Sequence, residues 1–193
     1  IYANNYINKI AGDINNGYQD GFGTFSKFNN PKGIALFKPS NALYIADCGN
    51  HIIRKLDIIT YMVTTIAGSN GMYGLYDGKG DHARFHSPSH VTIDKYGYIF
   101  VADSNNYVIR MINSLLEVIT IAGNNMTISA GLVDGPGTTA RFGTINGILY
   151  SSPGYITIAD TGNSRLREIA YPFHDLQYNE YEFIQSKDDV KVI

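Results

Sequence analysis

Three features of the sequence have residue types and spacings that could do chemistry. The stretch Gly78-Lys-Gly-Asp-His-Ala83 fits the G-x-G-x-x-G/A pattern, in which glycines let a backbone turn hold the phosphates of a dinucleotide. His82, His86 and His90 are spaced by four, which would align metal ligands along one face of a helix. Cys48, the one cysteine, is a candidate nucleophile. A nucleotide site, a metal site and a thiol-based active site are therefore the first alternatives.

The glycine-rich stretch occurs three times, and this recurrence argues against a nucleotide site. A dinucleotide fingerprint is needed once, between one strand and one helix. The three copies here begin at Ile10, Ile66 and Ile121, and the segments between them are typical of strands. An aspartate and a phenylalanine each recur every 57 residues: Asp20, Asp77 and Asp134, and Phe28, Phe85 and Phe142. The sequence therefore predicts a tandem repeat and no nucleotide cofactor.

Behind each glycine-rich stretch lies a second recurrent block that is typical of a β-hairpin. The blocks are LYIADCGNHIIRKL from Leu43, IFVADSNNYVIRMI from Ile99 and ITIADTGNSRLREI from Ile156. Each has a β-branched and aromatic run that ends in Asp, followed by a turn with Gly-Asn or Asn-Asn. We expect positive φ at these glycine and asparagine residues, because both tolerate it. Each repeat also has one strand before the hairpin and one strand after it. The sequence therefore predicts four antiparallel strands in each repeat, called a, b, c and d in chain order, of which b and c form the hairpin.

Four-stranded antiparallel units in tandem are typical of β-propeller blades, so we predict an all-β fold. The motifs also resemble those of NHL-repeat propellers of the long-loop type. The resemblance rests on P-x-G-I, Y-[IV]-A-D-x-x-N-x-x-I-R-K-I, V-T-T-I-A-G and the inserted D-G-x-G-x-x-A-R-F, and it covers about residues 6 to 170. The sequence departs from this pattern where His90 replaces glycine, Ile145 replaces proline and Ser26-Lys27 replaces Ala-Arg. We expect these departures to alter local turns and to leave the blades intact.

Residues 1–170 are predicted to form a partial propeller of about three repeats. They would supply a lone strand d at Tyr6–Ala11, two full blades, and a third blade through its strand c. Residues 171–193 break the repeat, and they are expected either to add a closing strand or to form a linker. Since propellers close with about 4–8 blades, we expect the remaining blades to lie outside these residues.

The residues common to all repeats are predicted to be structural. We expect the recurrent phenylalanine to pin the long loop to its blade, because a buried aromatic ring removes a large apolar area from water. An aspartate in strand b and an arginine in strand c are seven residues apart in every copy, and we predict ion pairs within or between neighbouring blades. The pairs are Asp47 and Arg54, Asp103 and Arg110, and Asp160 and Arg167. Function is expected where the copies differ.

No set of residues converges as catalytic. Cys48 corresponds to Ser104 and Thr161 in the other copies, a turn position that accepts any small residue. Pro88 interrupts the histidine series, so His82 and His86 are expected in exposed loops.

His90 begins strand a, the strand nearest a propeller axis, and is the one candidate metal ligand, but matching carboxylates are not evident. The resemblance to NHL propellers, which include an amidating lyase with histidine-bound metal near the axis, leaves a metal-dependent lyase or lactonase with its site at the central channel as an alternative. We predict no catalytic residue, no metal and no cofactor in these residues.

Composition narrows the partner class. The formal net charge is −2 at pH 7, which provides no field that would attract nucleic acid. RNA binding, which some NHL propellers perform through basic faces, is therefore the less favoured alternative. There is no apolar run of eighteen residues, so no membrane segment is expected. The single cysteine and the sequon Asn125-Met-Thr127 do not define a compartment.

Strand parity predicts that the b–c turns and the glycine-rich loops emerge at the same end of the blades. Loops on a rigid scaffold are where recognition concentrates. This end carries acidic residues, including the three recurrent aspartates, and amphipathic side chains of the type enriched at interfaces. We therefore predict a protein-interaction or scaffolding module whose partner is a protein. The predicted contact residues are Met72, Tyr73, Leu75, Tyr76 and Tyr18.

Overall fold

The chain folds into three antiparallel sheets in a computed structural model that describes residues 7–123, 129–151, 154–170 and 191–192. Blade 1 contains β1 (Gly21–Phe22), β2 (Pro31–Phe37), β3 (Ala42–Asp47), β4 (Ile52–Asp57) and β5 (Met62–Ala67). Blade 2 contains β6 (Gly78–Lys79), β7 (Pro88–Ile93), β8 (Ile99–Asp103), β9 (Val108–Ile112) and β10 (Glu117–Ala122). Blade 3 contains β11 (Gly135–Pro136), β12 (Ile145–Ser151), β13 (Tyr155–Asp160), β14 (Arg165–Ala170) and β15 (Lys191–Val192). The predicted all-β propeller fold is confirmed.

Each blade has one strand more than the four that the sequence predicts. Sheet order in blade 2 is β6-β10-β9-β8-β7, and the other two blades repeat it. The additional strand is two residues long and comes from the glycine-rich loop, which crosses to pair with the outermost strand of its own blade. Gly80, next to β6, has φ of +54°, a left-handed conformation that favours glycine. The recurrent D-G-x-G element therefore forms a strand as well as a turn.

Two apolar cores lie between the blades. Alternation along the strands sends the side chains of blade 2 to opposite faces. Val91, Val101 and Phe85 pack with blade 1, whereas Phe100 and Met111 pack with blade 3. The first strands of the blades, β2, β7 and β12, lie side by side, as expected for strands nearest a propeller axis.

The b–c turns differ from the sequence prediction. Each is a three-residue 3-10 turn, and the positive φ falls on the residue after it, at His51 (60°), Tyr107 (59°) and Ser164 (54°). Gly49 and Asn50 have ordinary φ, so the prediction for the Gly-Asn pairs was wrong. Gly49 is required for space, because a Cβ there would lie 2.6 Å from the Asn29 side chain. Asn50 is required for its side-chain amide, which donates to Asp47 and to the backbone carbonyl of Gly17.

The segments near the two ends of the chain differ in whether they join a sheet. Of the predicted strand Tyr6–Ala11, the described residues 7–11 join none of the three sheets, since a strand d needs a strand c of its own blade beside it. β15 pairs with β14 and contributes a fourth strand to blade 3. Residues 171–190, and the sequon at Asn125, lie outside the described residues. Across the described ranges, no helix has the length and apolar character needed to cross a membrane.

Candidate functional site

A buried arginine ties each glycine-rich loop to its blade. Arg110, fully buried in the middle of β9, donates to the Asp103 carboxylate at 3.0 Å and to the Asp77 carboxylate of the loop at 2.8 Å. The same guanidinium donates to the backbone carbonyls of Arg84 (2.9 Å) and Tyr76 (2.7 Å), which lie on opposite arms of the loop. One planar cation therefore fixes both arms, a use for which the forked guanidinium is suited. We call this arrangement the arginine latch.

The arginine latch recurs in all three blades, so the predicted aspartate–arginine ion pairs are confirmed and lie within each blade. Arg54 and Arg167 make the same pairs with strand b and loop carboxylates, at 2.7 to 3.1 Å. Each guanidinium also lies over the recurrent phenylalanine, with 4.5 to 5.1 Å from its central carbon to the ring centroid. Phe85 and Phe142 are fully buried and Phe28 is partly buried, which confirms the predicted anchoring role.

An asparagine completes the latch from the b–c turn. The Asn106 amide donates to Asp103 and to the backbone carbonyl of Gly74 in the loop, both at 2.7 Å. Asn50 and Asn163 make the equivalent bonds in blades 1 and 3. Since Asp103 is completely buried, desolvation raises its pKa to about 6, against the opposing effect of Arg110. Burial likewise raises the pKa of Asp47.

The b–c turns and the glycine-rich loops meet at one end of the blades, which we call the loop face. The backbone N–H groups of Gly49, Asn105 and Gly162 each donate to the last residues of the neighbouring loop, at 2.8 to 3.1 Å. The loop before blade 2 also reaches back to blade 1, where the Gly71 N–H donates to the Asn50 carbonyl at 3.3 Å.

The recurrent aspartates of the loop face are committed to the arginine latches. Asp20, Asp77 and Asp134 are exposed in part, yet each pairs with a latch arginine at 2.7 or 2.8 Å. Their carboxylates hold the latch arginines, so sequence reasoning that counted them as free surface acids missed their structural role. The signal was available, because these aspartates recur every 57 residues as the structural phenylalanines do.

The loop face exposes apolar and aromatic side chains at the tip of the loop before blade 2. Met72, Tyr73 and Tyr76 are 54%, 65% and 67% exposed, and Leu75 is half-buried. These four residues are called the tip segment. Tyr18 lies in the loop before blade 1, at the repeat position of Leu75, where it is exposed and lies over Arg54. Three of the predicted contact residues, Met72, Tyr73 and Tyr76, are thus exposed on one loop, whereas Tyr18 lies on the loop of another blade.

Tyr73 stacks on His86 with ring centroids 4.6 Å apart, and it makes a T-shaped contact with His51 of blade 1, with ring centroids 5.6 Å apart. His51 Nδ1 accepts the Ser87 N–H at 3.0 Å, so its proton lies on Nε2. Burial lowers the pKa of both histidines, and His86 adds to the lowering of the pKa of His51. We call these three rings the aromatic cluster. Sequence reasoning missed His51, because nothing in the repeat indicates that it meets the following loop.

The three histidines of the original series have separated environments. His82 is exposed, as expected, whereas His86 is part of the aromatic cluster. His90 is half-buried on β7 beside a cavity of about 460 Å³, and burial lowers its pKa. Within the described residues, no three His, Cys, Asp or Glu side chains are grouped as metal ligands.

Comparison with known proteins identifies the repeat. Residues 28–56, which carry most of the arginine latch of blade 1, match the NHL repeat family. The chain is 37% identical over 100 residues to NHL repeat-containing protein 2 of Bos taurus, which covers 50% of this chain and 13% of that protein. It is 39% identical over 97 residues to Protein SUPPRESSOR OF QUENCHING 1, chloroplastic, of Arabidopsis thaliana, covering 50% of this chain and 9% of that protein. Residues 28–56 therefore form an NHL repeat, and the other two blades repeat its motifs.

The blades also match a solved structure of a longer protein. An auxiliary nutrient binding protein from Bacteroides thetaiotaomicron superimposes with a TM-score of 0.64 and 26% identity, over 72% of this chain and 36% of that one. The chain therefore spans a small part of the curated relatives and about a third of the solved protein. The match to blade 1 explains why Asp47, Asn50 and Arg54 recur, since the latch they form is part of the repeat itself.

Proposed function

We propose that this chain is a protein-interaction module, and that the partner binds the loop face through the tip segment. The observation that carries the proposal is the exposure of Met72, Tyr73 and Tyr76 on a loop that the blade holds fixed. Tyr and Met are enriched at protein interfaces relative to the rest of a protein surface. The NHL repeats support a binding domain in general terms, and the choice of this face rests on the tip segment.

The arginine latch favours binding because it limits the entropy that the loop loses. Arg110 holds Tyr76 and Arg84 by their carbonyls, and Asn106 holds Gly74. The loop is therefore ordered before a partner arrives, and ordering costs of about 0.5–1.5 kcal/mol per immobilised side chain are reduced. An aromatic anchor on a fixed loop is the arrangement expected of a binding hot spot.

The charge of the loop face favours a partner with an apolar contact area. The three recurrent aspartates are committed to the latch arginines, so their carboxylates are not free to pair with cations of a partner, and the contact depends on the exposed tip segment. A phosphate backbone would require clustered Lys and Arg, and the tip segment contains neither residue type. We therefore expect an uncharged patch of protein surface that accommodates the rings of Tyr73 and Tyr76.

The test is a quantitative affinity purification with Met72→Ser/Tyr73→Ser/Tyr76→Ser compared with the unchanged chain. For any protein retained by the unchanged chain, we expect the triple variant to weaken the measured Kd by more than about 10-fold, since one hot-spot residue is worth about 2 kcal/mol or more. A thermal unfolding curve close to that of the unchanged chain establishes that the variant is folded.

The matched control lies at the opposite end of the blades. Ile59 and Tyr96 are also exposed, at 68% and 56%, in the turns that precede β5 and β8. We expect Ile59→Ser/Tyr96→Ser to retain the partner. Loss of binding in this variant, together with retention in the triple variant, would assign the partner to the opposite end and overturn the proposal.

A further inference from the structure

A cavity lies where the first strands of the three blades come together. β2, β7 and β12 each follow a glycine-rich loop and lie side by side, with β7 in the middle. The cavity of about 460 Å³ beside His90 is lined by one polar residue from each strand: Lys32, Ser89 and Asn146. These three residues occupy one repeat position. We call this space the axial cavity, because first strands lie around the central channel of a propeller.

A β-bulge places this repeat position at the cavity. In β7, Pro88 pairs with Asp103 and His90 pairs with Ala102, so Ser89 is an additional residue between two consecutive partners of β8. The pairing of β2 and of β12 shifts at the equivalent place. A bulge bends its strand and redirects a side chain. The bulges therefore account for the convergence of one polar residue from each blade.

Ser89 is the fixed part of the cavity wall. It is 3% exposed, and its hydroxyl donates to the Ile145 carbonyl of blade 3 at 2.7 Å. The Ser104 hydroxyl lies 2.6 Å from the Ser89 hydroxyl on the other side. Ile145 directly precedes Asn146, so this bond between blades holds the backbone from which the Asn146 side chain extends. A wall that is ordered in advance reduces the entropy lost when a ligand binds.

His90 adds an imidazole ring that has an unused hydrogen-bonding atom. The other two blades have glycine at this repeat position, Gly33 and Gly147. The ring lies against Gly33, where a Cβ would be 2.6 and 2.7 Å from two of its carbons. Its Nδ1 is buried and has no hydrogen-bond partner among the described residues, an exception that calls for an explanation. Burial lowers the pKa of His90, so the ring is neutral at pH 7.

The charge of the axial cavity favours an anion. Of the described residues that line it, Lys32 is the only one with a charge, and it is exposed and makes no ion pair with another described residue. The Asn146 amide and the neutral His90 ring add hydrogen-bonding groups without charge. One ammonium balances one negative charge. A phosphate, which carries up to two, is matched better by the forked guanidinium of arginine, and the cavity has none.

We propose that the axial cavity binds a small organic molecule with one carboxylate, which pairs with Lys32 while neutral polar groups of the molecule bind Asn146 and His90. The volume lies within the range of about 300–1,000 Å³ that is typical of ligand pockets. The wall comes from three adjacent blades, so these residues face the channel whether or not further blades surround it. The site uses no residue of the tip segment, and the proposal for the loop face can fail without affecting it.

An NMR titration of the isotope-labelled 193-residue chain tests the proposal, with acetate, lactate and gluconate as probes. We expect saturable shifts of the backbone amide signals of Lys32, Ser89, His90 and Asn146 at carboxylate concentrations up to about 50 mM. Lactate and gluconate should bind more tightly than acetate, because their hydroxyls add hydrogen bonds. Propane-1,2-diol and sorbitol, the neutral counterparts of lactate and gluconate, should cause much smaller shifts at the same concentrations.

Two variants assign the binding to this cavity. Lys32→Gln should raise the Kd of each carboxylate by about 10-fold or more, because it removes a hydrogen bond between charged groups. Lys38→Gln is the matched control: it removes the same charge from an exposed lysine directly after β2, and the Kd should not change. His90→Gly restores the residue of the other two repeats and should reduce the preference for lactate over acetate.

The contrary results are equally specific. The absence of saturable shifts with all three carboxylates would overturn the proposal, and so would a Kd that Lys32→Gln leaves unchanged, with each variant shown to be folded by circular dichroism. Inorganic phosphate is titrated in parallel. If it binds as tightly as lactate and gluconate, the assignment to carboxylates is wrong.

Discussion

Strand c of every blade has a buried arginine near its centre, and this arginine needs several polar partners. The three residues are Arg54, Arg110 and Arg167. A buried charge costs free energy unless it is paired and its hydrogen bonds are satisfied. The two terminal nitrogens of Arg110 meet this requirement with two carboxylates and two carbonyls, and its guanidinium lies over Phe85, whereas its buried Nε has no hydrogen-bond partner. A buried ion pair adds little net stability, but removal of one partner is strongly destabilising because it leaves the other charge buried and uncompensated.

Replacement of Arg110 by Met tests this dependence. The variant leaves Asp103 buried without its cation and frees two carbonyls of the loop, so we expect a loss of about 3–5 kcal/mol in the free energy of unfolding. Urea denaturation measures it. Arg165→Met is the control, because Arg165 is exposed on β14, and it should change stability by less than about 0.5 kcal/mol. Equal effects of the two substitutions would contradict the latch.

The aromatic cluster predicts a dependence of stability on pH. Burial lowers the pKa of His51 and His86, so the folded state prefers both rings neutral. Their contribution is complete above the unfolded pKa of about 6.5 and is lost as the pH falls below it. Protonation of His51 also removes the acceptor of the Ser87 N–H. We therefore expect the free energy of unfolding to fall more steeply from about pH 7 to about pH 5 in the unchanged chain than in His51→Gln/His86→Gln.

The comparison of the two proteins isolates the histidines from the other buried groups. Asp103 acts in the opposite direction, because its raised pKa means that the folded state takes up a proton as the pH falls through about 6. Since Asp103 is present in both proteins, its contribution cancels in the difference between their slopes. Denaturation series at matched pH values provide the slopes, and identical slopes would exclude a role for the two histidines.

At the level of elements, the first strands of the blades pack closely enough to restrict their residues. Gly33 on β2 faces His90 on β7, and a Cβ at Gly33 would lie 2.5 Å from the His90 Cα. Atoms at that distance overlap, so one strand must move. The single departure from glycine at this repeat position, His90, is thus accommodated by glycine in the blade before it.

Gly33→Ala should therefore shift or loosen the contact between blades 1 and 2. We expect a loss of about 1–3 kcal/mol, the range for overpacking a well-packed contact, measured by thermal or urea unfolding. Lys32→Ala, one residue earlier on the same strand and exposed, should be close to neutral. A neutral Gly33→Ala would show that the two strands are less closely packed than the distance requires.

Sequence periodicity predicted elements whose side chains repeat, and missed those defined by backbone. The blades, the recurrent phenylalanines and the pairs such as Asp47–Arg54 follow from spacing, because the same packing problem is solved three times. β6 was missed because two residues, one of them glycine, show no alternation of apolar and polar side chains. The aromatic cluster was missed for another reason: it joins His51 of one repeat to Tyr73 of the next, and spacing within a repeat does not predict contacts between repeats.

For the whole molecule, the short strands taken from the glycine-rich loops affect how chains meet in solution. A sheet whose last strand is unpaired presents free backbone donors and acceptors, which template aggregation with other chains. β1 pairs with part of β5, and beyond it the Asp20 carboxylate accepts the Thr65 N–H at 3.0 Å. The same aspartate that secures the loop therefore also blunts an edge. Strand addition is therefore disfavoured at this edge of blade 1. The sheet faces and the loop tips remain as surfaces through which the chain can bind other proteins.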